Sequence, residues 1–426
     1  MTANKIIFMI LLASIAVSCS RENPAPVVSD DEPEEVLRSD GDREKYGKTI
    51  VIGTQEFPIS TFRKEGITDG MDYMKLAIEQ EETEGGFKLL AHLVRLERRK
   101  LSEDIAFQSL LGGKYLTTRS TPLDIAKRES IGNQTVLATI NGDFFIMEEG
   151  GTFLGNMVSN GSIIKTADND WTVTYGVTKD NKLFIDELNY TISVDKDNYP
   201  VNSINGPRLG DQLVLYTSVK GAKTGANMWG SEILLKPIDG DWETLESYDD
   251  VVCEVISNNP MAVDGGIAIP EGHIVLSGHG VGVAVCNRYK KGDMVNIKVS
   301  KPKGKEGNSY DVKNAIGASY PILLNGAIQQ INSVSGNPNN RETRSAIGHS
   351  DDFFYILVVE GRSPVSDGVT IEELSYLLKH FEVTNAVNLD GGGSTMLVIG
   401  NSVLGQPAGT TWFRPVPNAI SIIRKN

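Results

Sequence analysis

Two carboxylates stand where apolar runs stop. Glu360 follows the run at 353–359, and Asp390 follows the run at 383–389, thirty residues on. Both runs have the length and content of buried strands, and a helical pattern lies between them. If that helix joins strands running the same way, both strand ends fall on one edge of a sheet, where open sheets hold ligands. The strand ends are then about 5 Å apart as neighbours, or about 10 Å apart with one strand between them. Paired carboxylates at such distances are the apparatus of glycoside cleavage, one as acid or base and one as nucleophile or charge stabiliser.

Other candidates adjoin this pair. Gly391, Gly392, Gly393 and Ser394 follow Asp390 directly. Glycine tolerates positive φ and adds no side chain, so such a run can turn backbone amides onto an anion, although it also suits a plain tight turn. Arg344 heads Arg344-Ser345-Ala346-Ile347-Gly348 and offers a planar fork for phosphate oxygens. Asn141-Gly142-Asp143 ends another buried run, and Phe144 and Phe145 follow without the polar break of a surface hairpin. Asn141, Gly142 and Asp143 therefore count as substrate-binding candidates. Asn205-Gly206-Pro207-Arg208 reads mainly as a turn, with Arg208 kept as a further binding candidate.

The elements that must position these residues are mostly short strands. Strands are expected at 48–55, 87–96, 135–140, 171–177, 213–217, 251–256, 273–277, 281–286 and 353–359, and helices at 71–82 and 122–129. Asn160-Gly161 and Asn325-Gly326 between apolar runs signal hairpins, and residues 301–308 and 336–342 read as loops. Thr370 and Glu373 form a capping box, after which Ile371, Leu374, Leu377, Leu378 and Phe381 share one helical face. The fold class expected is α+β: β-rich mixed sheets with few helices, including a strand-helix-strand unit near the C-terminus.

The chain has 426 residues, 41 basic against 55 acidic side chains, a net charge of −14 and a pI near 5.0. That balance argues against non-specific binding to nucleic acid or to an anionic bilayer, both of which favour a basic face. The five histidines lack metal-ligand spacing, and no nucleophile elbow, phosphate loop or dinucleotide fingerprint occurs, so no cofactor or metal is expected. Three cysteines are too few for a disulfide framework. Cys253 and Cys286 are read either as one disulfide or as buried thiols. Lys5, the apolar run at 6–17 and Cys19 resemble a bacterial lipoprotein signal, with Cys19 as the lipidated residue. Residues 20–47 carry nine acidic and four basic groups and read as a solvated tether. The organisation expected is a signal peptide at 1–19, an acidic tether at 20–47, an N-terminal α/β region at 48–115 and a main domain at 116–426.

Arg344-Ser345-Ala346-Ile347-Gly348-His349, Glu360-Gly361-Arg362, the helix after Thr370, and Asn388-Leu389-Asp390 with its glycine run together resemble the phosphodiester glycosidase domain family. Asn141 to Phe145, followed by Leu154-Gly155-Asn156-Met157-Val158-Ser159, resembles the opening of that domain, so the likeness runs from about residue 136 to 423. The resemblance implies hydrolysis of a sugar-1-phosphodiester at the anomeric carbon, with Asn141, Arg344, Glu360, Asp390 and residues 391–394 in the site. Arg344 and the glycine amides are then expected on the phosphate, and Glu360 and Asp390 on the sugar. The expected setting is the bacterial cell envelope, periplasmic or surface-facing, with the membrane reached through a lipid on Cys19 and a glycan phosphodiester as partner. The alternative is a non-catalytic envelope or glycan-binding lipoprotein.

Overall fold

The structure is a computed structural model and describes residues 41–80, 87–102, 104–148, 150–195, 197–242, 248, 250–331, 337–405 and 412–426. Cys19 and most of the expected tether lie outside the described residues. The strands that frame the site are, in chain order, β1 (Thr61–Thr68), β2 (Met71–Glu79), β3 (Lys88–Glu97), β4 (Ile105–Leu111), β5 (Gln134–Asn141), β6 (Tyr320–Leu324), β7 (Ala327–Ile328), β8 (Arg344–His349), β9 (Phe353–Val359), β10 (Asn385–Asn388), β11 (Leu397–Ile399), β12 (Ser402–Leu404) and β13 (Asn418–Lys425). The α-helices are α1 (Gly41–Tyr46), α2 (Pro122–Glu129), α3 (Val281–Cys286) and α4 (Ile371–His380).

An eight-stranded sheet runs β7-β6-β10-β8-β9-β3-β2-β1, and a five-stranded sheet runs β12-β11-β5-β13-β4. Side chains alternate along each strand, which explains the layering. From β9, Tyr355, Leu357 and Val359 join Ala346 against Ile371, Leu374, Leu377, Leu378 and Phe381 of the α4 segment. Full burial of each of these leucines is worth about 1.5–3 kcal/mol. Phe354, Ile356 and Val358 point the other way, onto Leu137, Ala138 and Ile140 of β5 and Ile420 and Ile422 of β13. Beyond that second sheet, Leu123, Ile125 and Ala126 of α2 cover Val136, Val398 and Ala419. The order of layers is helix, sheet, sheet, helix.

Residues 157–317 carry two further sheets of five and eight strands. Ser203–Ile204 beside Leu213–Thr217 is a parallel pair, so parallel and antiparallel pairing occur together in one β-rich fold. Asn160 and Gly161 have φ of 49° and 84°, the left-handed pair that a two-residue hairpin requires.

Several expectations need correction. Residues 71–79 are strand β2, not a helix. Met71 and Tyr73 face one core while Met74, Leu76 and Ile78 face the other, and a strand covered on both sides mimics helical spacing. Residues 281–286 form α3, not a strand; a six-residue apolar run does not settle its own period. Cys253 and Cys286 are buried free thiols, each pushed up to about 12 by burial. The end of the expected tether is α1. Its Asp42 lies 2.8 Å from the Arg95 guanidinium, and its Tyr46 is buried beside His380 and Phe381. Residues 48–115 do not stand apart: β1, β2 and β3 complete the large sheet beyond β9, and β4 is an edge of the second.

Candidate functional site

β9 and β10 both pair antiparallel with β8, which lies between them. They therefore run parallel to each other with one strand interposed, and their C-terminal ends share one edge. Arg344 pairs with Val359 and Ala346 with Asn388. The same register places Glu360 and Asp390 on either side of the start of β8, about 10 Å apart along the backbone.

Asp390 is held from behind. Asn141, fully buried at the end of β5, donates from Nδ2 to the Asp390 carbonyl at 2.7 Å. Its Oδ1 accepts from Ser345 Oγ at 2.7 Å and from the Met396 amide at 3.3 Å. Asn141 thus ties β8 to both ends of the turn that carries the chain from one sheet to the other. The Asp390 carboxyl is half-buried. Burial pushes it up to about 6, against hydrogen bonds from Ser394 and the Gly391 amide and the charge of Arg414.

The glycine run does not turn a row of amides outward. Gly391 N donates to Asp390 Oδ1, Gly392 N to Thr343 O and Ser394 N to Gly391 O, so the run closes a tight turn on itself. Its use is close approach. A Cβ on Gly393 would lie 2.5 Å from Arg414 Nη2, and Gly392, at φ 57°, faces Arg362 Nη2. Two guanidinia therefore straddle the turn. Arg362 pairs with Glu342 at 2.7 Å. Arg414 reaches Ser394 Oγ at 3.4 Å, and its buried Nε has no hydrogen-bond partner among the described residues.

Glu360 points to the inner face. Its Oε1 lies 2.9 Å from His92 Nε2, and His92 Nδ1 lies 2.8 Å from the Tyr73 hydroxyl. This line of polar groups crosses β9, β3 and β2.

Arg344 does not serve as the expected phosphate clamp. Alternation puts it on the α4 side with Ala346, opposite Ser345. Its Nε donates to Val369 O at 3.1 Å, and Nη2 donates to Asn337 O and Asn340 O at 2.7 and 2.8 Å. The fork is spent on backbone carbonyls. Asp143 is also buried. It accepts from Phe144 N, Gly155 N and Trp171 Nε1 at 2.7, 2.6 and 3.1 Å, and burial raises its carboxyl to about 7. It braces the loops behind Asn141. Gly142 supports the Asp390 amide through its carbonyl at 3.1 Å. Arg208 lies in the loop before the strand Leu213–Thr217, where its guanidinium holds Ser277 Oγ and the Asn227 carbonyl at 2.9 Å each; no hydrogen bond or ion pair joins it to Asp390.

The sequence reading missed Arg414, His92 and Tyr73 and left Arg362 without a role. Arg362 stood inside a quoted motif. His92 had a usable signal, an ionisable ring in the middle of an apolar strand. Arg414, between Phe413 and Pro415, had none.

Two carboxylates thus stand at one sheet edge, with two guanidinia on the glycine turn. Residues 250–423 match the family model described as Phosphodiester glycosidase. That stretch takes in Arg344, Glu360, Asp390 and the glycine turn, and leaves Asn141, Asp143 and Arg208 outside. A stretch of 80 residues is 31% identical to N-acetylglucosamine-1-phosphodiester alpha-N-acetylglucosaminidase of Mus musculus, covering 19% of this chain and only 16% of that relative. Among solved structures, a hypothetical protein from Synechocystis superposes with a TM-score of 0.65 at 17% identity, over 85% of this chain and 64% of that one. A Burkholderia pseudomallei protein described only as exported gives 0.65 at 15% identity, over 88% and 99%. At these identities the likeness is one of fold.

Proposed function

We propose that this protein hydrolyses a sugar-1-phosphodiester between the anomeric carbon and the phosphate oxygen. The observation that carries the reading is the glycine turn. It brings a half-buried carboxyl, raised to about 6, together with two guanidinia, and the buried Nε of one of them is without a partner among the described residues. A phosphodiester oxygen is the acceptor that suits such a fork.

In the proposed reaction Arg414 and Arg362 neutralise the phosphate. Glu360 takes a proton from water as the water oxygen bonds to the anomeric carbon. The carbon–oxygen bond to phosphorus breaks, and its electron pair leaves with the phosphate monoester. Asp390, which keeps its proton up to about pH 6, hands that proton to the departing oxygen. A phosphate ester is already a good leaving group, so charge neutralisation carries more of the barrier than proton donation does. The water attacks from the face opposite the leaving group, so the proposed mechanism inverts the anomeric carbon.

The test is incubation of the full chain with a panel of sugar-1-phosphodiesters. Phosphorus NMR follows release of the monoester, and proton NMR identifies the first-formed anomer. An inverted anomer supports the mechanism, and a retained one overturns it. Binding of a panel member by the folded protein without turnover favours the envelope-binding alternative.

A further inference from the structure

We infer that His92, backed by Tyr73, is a positioning residue that holds Glu360 for catalysis; the inference rests on the hydrolase reading above. His92 lies on β3, outside the family-matched residues 250–423. Its ring is 4% exposed, and a buried imidazole needs partners at both nitrogens. Nε2 lies 2.9 Å from Glu360 Oε1 and Nδ1 lies 2.8 Å from the Tyr73 oxygen.

A carboxylate only accepts, so Nε2 carries the hydrogen. In the neutral ring Nδ1 then accepts, and the Tyr73 hydroxyl donates to it. The tautomer is thereby set by the residue behind, and the carboxylate by the tautomer. The two rings lie nearly parallel, with centroids 6.1 Å apart and planes 15° apart. Gly405 closes the far side, where a Cβ would stand 2.9 Å from His92 Cδ2. The ring cannot swing away, so one oxygen of Glu360 is fixed and the other is left for water.

The titratable groups facing His92 are Tyr73 and Lys75 from β2 and Glu360 from the end of β9; Lys75 is directly opposite His92 in the strand register. A histidine serving packing alone would have no need of a carboxylate at the sheet edge.

The experiment compares wild type, His92→Ala, His92→Gln and Tyr73→Phe on a sugar-1-phosphodiester that the wild type cleaves, with kcat and KM followed across pH and folding checked by melting. His92→Ala is expected to lower kcat about 10- to 100-fold, the cost of a misplaced catalytic group, with KM nearly unchanged. His92→Gln, which presents an N–H at the same reach, is expected to recover much of the loss. Tyr73→Phe removes the hydroxyl that fixes the tautomer at Nδ1, so kcat is expected to fall severalfold with KM nearly unchanged. A kcat for His92→Ala within twofold of wild type overturns the inference. So does His92→Gln activity no better than that of His92→Ala, or a Tyr73→Phe kcat equal to that of wild type. Should His92→Ala fail to fold, the other two variants decide. A wild type inactive on the whole panel overturns the hydrolase reading and this inference with it. An active wild type with indifferent variants overturns the inference alone.

Discussion

Asp390→Asn separates activity from stability. The carboxyl moves from an ordinary 3.8 to about 6 because burial penalises its charge. Keeping it ionised in the fold therefore costs about 3 kcal/mol. The sign follows from proton binding. Between pH 3.8 and 6 the folded state holds more protons than the unfolded one, so stability falls as pH rises through that window and stays low above it. Asparagine keeps the shape and an acceptor for the Gly391 amide, and it removes the charge. The variant is expected to melt a few degrees above wild type at pH 8, with the gap closing towards pH 4, while turnover falls about 10²- to 10⁴-fold. Calorimetric melting across pH, alongside hydrolysis of the phosphodiester, reads both effects. A melting difference independent of pH refutes the raised carboxyl, and near-wild-type turnover refutes the catalytic assignment.

Three further outcomes are expected. Arg344→Ala leaves the buried Val369 carbonyl without its donor, at about 1–3 kcal/mol, and two part-buried carbonyls of Asn337 and Asn340 as well; it should lower Tm and leave the KM of the folded protein unchanged, whereas Arg414→Ala should raise KM about tenfold or more with little effect on melting. Asp143→Asn puts an amide where three donors point; it should destabilise by about 2–4 kcal/mol in urea titration, opposite in sign to Asp390→Asn although burial raises both carboxyls. Cys19 should carry lipid in the native protein; mass spectrometry finding an unmodified Cys19 on the mature chain would remove the proposed anchor.

The sheet edge was legible in the sequence because its ends are encoded locally. Glu360 and Asp390 each stop an apolar run, and the capping box at Thr370 fixes where the intervening helix begins. Whether a strand came between them was not legible, since the pairing with β8 is a long-range fact. The assignment of Arg344 failed on parity. Counting by twos from Ala346, which faces α4, sends Arg344 to the helix and Ser345 to the site. The pairing of His92 with Glu360 spans 268 residues, and nothing near either residue announces it. The glycine run was found but its use misread: φ freedom suggested an anion nest, whereas its small size is what lets Arg414 and Arg362 close in.

The residues that match the family do not make this site alone. Between 250 and 423 the chain supplies Glu360, Asp390, the turn and both guanidinia. It does not supply everything that aims them. Asn141 on β5 grips the Asp390 carbonyl, and His92 on β3 grips the Glu360 carboxyl; both precede the matched stretch. β3 is also the neighbour that covers the open edge of β9, and β5 stands between β11 and β13. On the proposed reading, residues 48–115 and the strand at 134–141 belong with the site, because His92 holds the Glu360 carboxyl and Asn141 holds the backbone that carries Asp390.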